Sequence, residues 1–142
     1  EMAGQISVYN YENDILNKIQ RIATHPEKIK EGFESSDIHI SPDGKFLYAT
    51  NRGKENNIAI FSIDENGLLK SIGYQSTLGK HPRIFAIDES GIFLVASNVL
   101  TGNIIVFKRE NQFRSFYVFR INSYEKIVWI FCFFYIFNRY IV

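Results

Sequence analysis

Polar and apolar positions alternate in short runs along most of this chain, and turn residues interrupt the alternation at regular intervals. Asp37, His39 and Ser41 interleave with Ile38 and Ile40, the period of two expected of a half-buried β-strand. Pro42-Asp43-Gly44 follows, and its turn has a mechanism: proline presets φ and glycine supplies a left-handed position. Phe46, Tyr48 and their neighbours resume the alternation until Asn51-Arg52-Gly53 stops it. The pattern predicts strands at 36–41, 45–51, 57–64 and 69–76, joined by Pro-Asp-Gly, Arg-Gly-Lys-Glu-Asn and Asp-Glu-Asn-Gly.

This unit recurs. Gly44, Phe46, Ala49 and Asn51 stand 47 positions before Gly91, Phe93, Ala96 and Asn98, and Asn57, Ile58 and Phe61 stand 46 before Asn103, Ile104 and Phe107. The opening run matches the third strand of the unit, with Ile6, Val8 and Tyr9 over Ile58, Ile60 and Phe61. Four antiparallel strands repeating every 40 to 50 residues are the mark of a β-propeller blade. A β-sandwich with coincidental similarity is the alternative. The expected fold is therefore all-β: a partial β-propeller of about two and a half four-stranded antiparallel blades. Blade boundaries are expected near 27–35 and 77–82. Residues 1–26 would supply the last two strands of one blade, 36–76 a complete blade, and 83 to about 110 three strands of another. So few blades cannot close a ring, which needs at least about four. Either several chains assemble or, the preferred expectation, this is a piece of a longer protein.

Composition divides the chain. Residues 1–112 hold every glycine and proline, whereas 113–142 have neither and carry twelve aromatic residues in thirty positions. The first segment is read as the partial propeller and the second as an aberrant tail. Its Phe, Tyr, Ile and Asn excess is what out-of-frame translation of AT-rich DNA would produce, so a frameshift near 110–113 is the leading expectation. Ile127 to Phe137 is an apolar run of eleven, short of the roughly 20 residues of a spanning helix. A marginal membrane anchor is the alternative, and an exposed run of this kind is a predicted aggregation site.

A formal charge of +1 argues against a dedicated nucleic-acid or acidic-membrane surface. The single cysteine, Cys132, permits no internal disulfide, and residues 1–30 contain no signal peptide, so a cytoplasmic, reducing location is expected. His25, His39 and His81 show no metal-ligand spacing. Neither a phosphate-binding glycine loop nor a Gly-x-Ser-x-Gly elbow occurs, so no metal and no cofactor are expected and a covalent serine mechanism has no support.

The stretches "SSDIHISPDGKFLYATNRG", "NNIAIFSIDENGLL" and "GKHPRIFAIDESGIFLVASN", in this order, resemble the seven-bladed propeller lactonases of the bacterial 6-phosphogluconolactonase type. The same stretches are similar to fungal carboxymuconate-lactonizing enzymes. The resemblance covers residues 1 to 112, and after "IIVFKRE" the sequence departs from the family's turn and fourth strand. It implies a seven-bladed parent that hydrolyses 6-phospho-D-glucono-1,5-lactone to 6-phosphogluconate in the oxidative pentose phosphate route, with a phosphorylated sugar lactone as its small-molecule partner. It also implies a site of one histidine, two arginines and a glutamate at the channel mouth. By motif position Arg52 resembles the second arginine and Glu1 the glutamate, while the histidine and first arginine belong to earlier blades. Glu1 looks like the continuation of an Asn-Glu strand end, so the chain is read as cut there. With half the site and the ring closure missing, the isolated chain is expected to be inactive.

Each candidate has physical content. Lactone opening passes through an anionic tetrahedral intermediate, which a fixed guanidinium at Arg52 can stabilise. A solvated turn arginine is the other reading. Glu1 could be a general base for water, or a frayed terminal residue. Arg83, with Lys80 and His81 nearby, could hold a substrate phosphate, or could be ordinary turn charge. His39 is a candidate substrate-binding residue and equally an inter-blade hydrogen-bonding group, while Asp37 and Asp43 read as turn caps and blade buttresses. A rival function is a non-catalytic propeller repeat module of the surface-layer or binding type; a muconate-type cycloisomerase is the rival within the enzymes.

Overall fold

The computed structural model describes residues 4–26, 28, 32 and 34–109. Glu1, Cys132 and the segment 113–142, with its frameshift and anchor readings, lie outside the described residues. Among the described residues no helix is long and apolar enough to cross a membrane.

Strands β1 (Gln5–Glu12) and β2 (Ile15–Ala23) form a hairpin, blade 1. Strands β3 (Ser35–Ile40), β4 (Phe46–Asn51), β5 (Asn57–Ile63) and β6 (Leu69–Ser76) form a four-stranded antiparallel sheet, blade 2, paired in sequence order. Strands β7 (Pro82–Ile87), β8 (Phe93–Asn98) and β9 (Asn103–Lys108) form blade 3 in the same order. The alternating pattern thus located the four strands of blade 2 to within a residue or so of their ends. The chain is all-β among the described residues, a partial propeller.

Blade 2 is buried on both faces, and its alternation sorts the side chains between them. Leu47, Ala49, Ala59, Phe61 and Leu69 face blade 1, where Ile6, Val8 and Ile22 pack against them. Tyr48, Ile58 and Ile60 face blade 3 and close on Phe85, Leu94, Ala96, Ile105 and Phe107. Each such fully buried large side chain contributes about 2 kcal/mol of hydrophobic stabilisation. Burial also pushes the Tyr48 phenol up to about 12. The inner strands β3 and β7 lie against one another.

Polar latches join the blades and repeat with the sequence. The Asn51 side chain donates from Nδ2 to the Thr24 carbonyl at 2.7 Å, and Asn98 does the same to the Thr77 carbonyl at 2.9 Å. Asn57 Oδ1 accepts from Asn51 at 2.9 Å, and Asn103 donates to the Leu78 carbonyl at 3.2 Å. These are the asparagines that the repeat brings into register, so their recurrence reflects the joint between one blade and the last strand of its predecessor. Gly79 sits inside the second joint: a Cβ there would lie 2.5 Å from Asn98 Cγ and 2.6 Å from Asn103 Oδ1.

The hairpin turns repeat as well. Gly44, at φ 70°, donates its N–H to the Ser41 carbonyl at 2.8 Å, and Gly91 donates to the Asp88 carbonyl at 2.8 Å. Pro42-Asp43-Gly44 is the turn its residues predict.

Candidate functional site

The site is built where β4 ends. Asn51 is pinned by its latch to blade 1, so the chain leaves the sheet at Arg52, whose N–H donates to the Glu34 carbonyl at 2.6 Å. The side chain then folds inward, and Arg52 is only 7% exposed. Its Nη2 donates to the Ser35 carbonyl, the first residue of the inner strand β3, at 3.0 Å. Its Nη1 meets His81 Nε2 at 3.3 Å. A guanidinium only donates, so His81 Nε2 is the acceptor and the ring proton sits on Nδ1. Arg52 is therefore held as a fixed cation between the inner strand of blade 2 and the entry to blade 3. The solvated-turn alternative does not describe it.

His81 has a φ of 61°, in the left-handed region that residues other than glycine enter at a cost. Two hydrogen bonds hold it there. Its N–H donates to Asn56 Oδ1 at 2.7 Å and its carbonyl accepts from the Val99 N–H at 3.1 Å. Lys80 is exposed on the same turn, with its N–H on Thr101 Oγ1 at 3.0 Å.

Arg83 comes next along the chain and is exposed. Pro82 pairs with Asn98 and Ile84 with Ser97, which makes Arg83 the extra residue of a β-bulge at the start of β7. Bulges re-aim a side chain and terminate regular pairing. The blade 2 equivalent lies at Ser36 and Asp37, between the pairs Ser35–Asn51 and Ile38–Ala49. Alternation alone does not reveal either bulge, because one inserted residue looks like a phase slip in the pattern.

His39 is at the opposite end of β3 from Ser35, about 13 Å away at the rise of a strand. Its Nε2 lies 3.2 Å from Asp37 Oδ2 and its ring stands edge-on to Phe85 at 4.7 Å. Asp37 Oδ2 also accepts the Phe85 N–H at 3.0 Å, so this pair bridges blades 2 and 3. The structure thus brings Arg52 and His81 together and seats His39 in an inter-blade contact apart from them. Glu1 lies outside the described residues.

Two features next to Arg52 escape the sequence reading. His25 Nδ1 and Glu55 Oε1 form a buried pair at 2.6 Å, joining the end of blade 1 to the loop that follows Arg52. Asn56, in the same loop, bonds both to the Gly53 carbonyl, from Nδ2 at 2.9 Å, and to the His81 N–H. The His25–Glu55 and Asn56–His81 contacts are non-local in sequence, so no spacing rule signals them.

A buried guanidinium beside an imidazole, with exposed cationic side chains on the neighbouring turn, suits an anionic ligand or a developing oxyanion. A profile of the family described as "Lactonase, 7-bladed beta-propeller" matches residues 1–116. The chain belongs to this lactonase family. It is 48% identical over 112 residues to a 6-phosphogluconolactonase of Formosa agariphila, covering 78% of this chain and 31% of the relative. It is 36% identical over 105 residues to the 6-phosphogluconolactonase of Bacillus subtilis, covering 73% of this chain and 30% of the relative. Among solved structures, the periplasmic gluconolactonase PpgL of Pseudomonas aeruginosa superposes with a TM-score of 0.79 at 28% identity, over 87% of this chain and 35% of that one. This lactonase chain therefore spans about a third of the length of the relatives it matches.

Proposed function

We propose that these residues form part of the active face of a seven-bladed lactonase that hydrolyses 6-phospho-D-glucono-1,5-lactone to 6-phosphogluconate. The observation that carries the reading is the buried Arg52 guanidinium, fixed between Ser35 and His81 in a chain of this family. Turnover belongs to the closed ring, because a channel mouth needs blades on all sides and the described residues supply strands of three.

Water attacks the lactone carbonyl carbon, and the carbonyl oxygen becomes the anionic oxygen of a tetrahedral intermediate. Arg52 faces that charge with a donor already desolvated and oriented, so little reorganisation accompanies the step. Glu1 takes the proton from the attacking water, the ring C–O bond breaks as the intermediate collapses, and the Glu1 carboxylic acid returns that proton to the departing ring oxygen. Arg83, exposed on its bulge, and Lys80 bind the phosphate. His81 accepts from Arg52 and keeps its guanidinium plane in place. The reaction belongs to a cytoplasmic sugar-phosphate pathway and requires no cofactor.

The test is lactone hydrolysis by a complete propeller carrying this segment. Arg52→Ala is expected to lower kcat/KM by about 10²–10³-fold, the loss typical of an oxyanion donor. Arg83→Ala is expected to act mainly on KM, raising it roughly ten- to a hundredfold as a charge-assisted contact to phosphate is lost. Hydrolysis by Arg52→Ala at the unaltered rate would refute the assignment.

A further inference from the structure

The residue before the third strand of each blade is left-handed: Gly4 at φ 58°, Asn56 at 50° and Gly102 at 59°. Blades 1 and 3 use glycine there, the residue that adopts this conformation without steric cost. Blade 2 alone uses a residue with a side chain, and blade 2 is the one whose strand β4 runs into Arg52. We infer that Asn56 is a positioning residue for the Arg52–His81 pair, its carboxamide setting the backbone on both sides so that the imidazole Nε2 meets the guanidinium.

The geometry is specific. Asn56 Nδ2 donates to the carbonyl of Gly53, directly after Arg52, at 2.9 Å. Its Oδ1 accepts the N–H of His81 itself at 2.7 Å. One planar group therefore fixes the separation of the two segments that carry the pair. The backbone of Asn56 is anchored independently, because its carbonyl accepts both the N–H and the hydroxyl of Thr77, at 3.0 and 2.9 Å. Blade 1 keeps the backbone half of this arrangement, with the Thr24 N–H on the Gly4 carbonyl at 2.9 Å. The left-handed turn and its threonine are thus common scaffold, and the carboxamide is the addition found beside Arg52. It also offsets the cost of the left-handed His81 backbone, whose N–H would otherwise lose this partner.

The role assigned to Asn56 rests on the functional reading of Arg52, but its test does not depend on turnover. In the 142-residue chain, long-range proton–nitrogen NMR of the imidazoles reports which ring nitrogen of His81 carries the proton, with His81→Gln used to assign the signal. The wild-type ring is expected to show the Nδ1–H form imposed by Arg52. Asn56→Gly restores the residue used by the other two blades, so the turn survives while the carboxamide is gone, and the Nδ1–H signature is expected to be lost. Asn56→Asp retains the acceptor for the His81 N–H but has no donor for the Gly53 carbonyl, so it too is expected to lose the signature. An unchanged His81 signal in Asn56→Gly would overturn the inference, as would an unchanged signal in a folded Asn56→Asp; should Asn56→Gly not fold, Asn56→Asp decides alone. Normal lactone turnover in Arg52→Ala would remove the functional reading and leave this positioning result standing.

Discussion

Blades 2 and 3 are two variants of one repeating unit, and the difference between them separates scaffold from site. At two pairs of positions that the repeat keeps, the structure uses the residues in the same way. Asn51 and Asn98 latch onto the preceding blade, and Phe61 and Phe107 fill the core. Where the repeat diverges, the roles diverge with it. The position after the latch is Arg52 in blade 2, folded inward and buried, and Val99 in blade 3, 43% exposed with its N–H on the His81 carbonyl. The same strand end thus supplies a cation in one blade and supports the partner of that cation from the next. A repeat protein can vary such strand-end positions because the packing that holds the blade lies elsewhere.

The strongest way to break the comparison is through the shared core. Phe61 and Phe107 are matched in sequence and both are fully buried, one in the cluster facing blade 1 and the other between blades 2 and 3. Phe61→Ala and Phe107→Ala should each cost about 3–5 kcal/mol through lost transfer energy and an unfilled cavity. Urea midpoints at a common slope measure this. A cost for Phe107→Ala far below that for Phe61→Ala would show blade 3 to be loosely attached and the two units unequal as scaffold.

The latches sharpen the comparison at smaller magnitude. Asn51→Ala leaves the Thr24 carbonyl without its donor, and Asn98→Ala does the same to the Thr77 carbonyl. Each should cost about 1–3 kcal/mol, the range for a buried polar group stripped of its partner. Asn51→Ala should cost more, because the Asn51 amide also serves Asn57 Oδ1. If Asn51→Ala left the denaturation midpoint unmoved, the latch would be geometric coincidence rather than a joint.

How much of this was legible follows from range. Alternation and turn chemistry are local, so the strands of blade 2 and the Pro42-Asp43-Gly44 turn are written in consecutive residues. Self-similarity extends the reach, because Asn51 and Asn98 could be matched without knowing what they bind, and the motif resemblance led to the family. What stayed hidden is what two segments do only after folding. Nothing near Arg52 in sequence announces His81, and nothing near His25 announces Glu55. The bulge at Arg83 was hidden for another reason: one extra residue reverses the phase of a period-two pattern. Asn56 did carry a signal, since glycine stands at the matched position before β1 and β9, but its meaning needs the left-handed backbone to be seen.

The smallest effect concerns the turn pairs, where the two units trade residues and keep the bond. In blade 2 the Ser41 hydroxyl donates to the Asp43 carboxylate; in blade 3 the Ser90 hydroxyl donates to Asp88, the same pair in reverse order. The backbone bonds follow the swap, with the Phe46 N–H on Ser41 Oγ at 3.0 Å and the Phe93 N–H on Asp88 Oδ1 at 2.7 Å. In blade 2 this order places the carboxylate where it also meets Arg109 of blade 3. The Ser41 hydroxyl first, and Arg109 after it, hold the Asp43 carboxyl well below the usual carboxylate range. A depressed folded value means stability that is present above the unfolded value of about 3.9 and is lost as pH falls toward the folded one. Asp43 is partly solvated, so screening keeps the gain small, and Asp43→Asn should lose less than about 1 kcal/mol at pH 7. That deficit should shrink steadily in urea titrations run from about pH 5 down to about pH 2. A deficit that stayed constant over this range would place the cost in the amide's geometry rather than in the charge, and the two turns would then be equivalent after all.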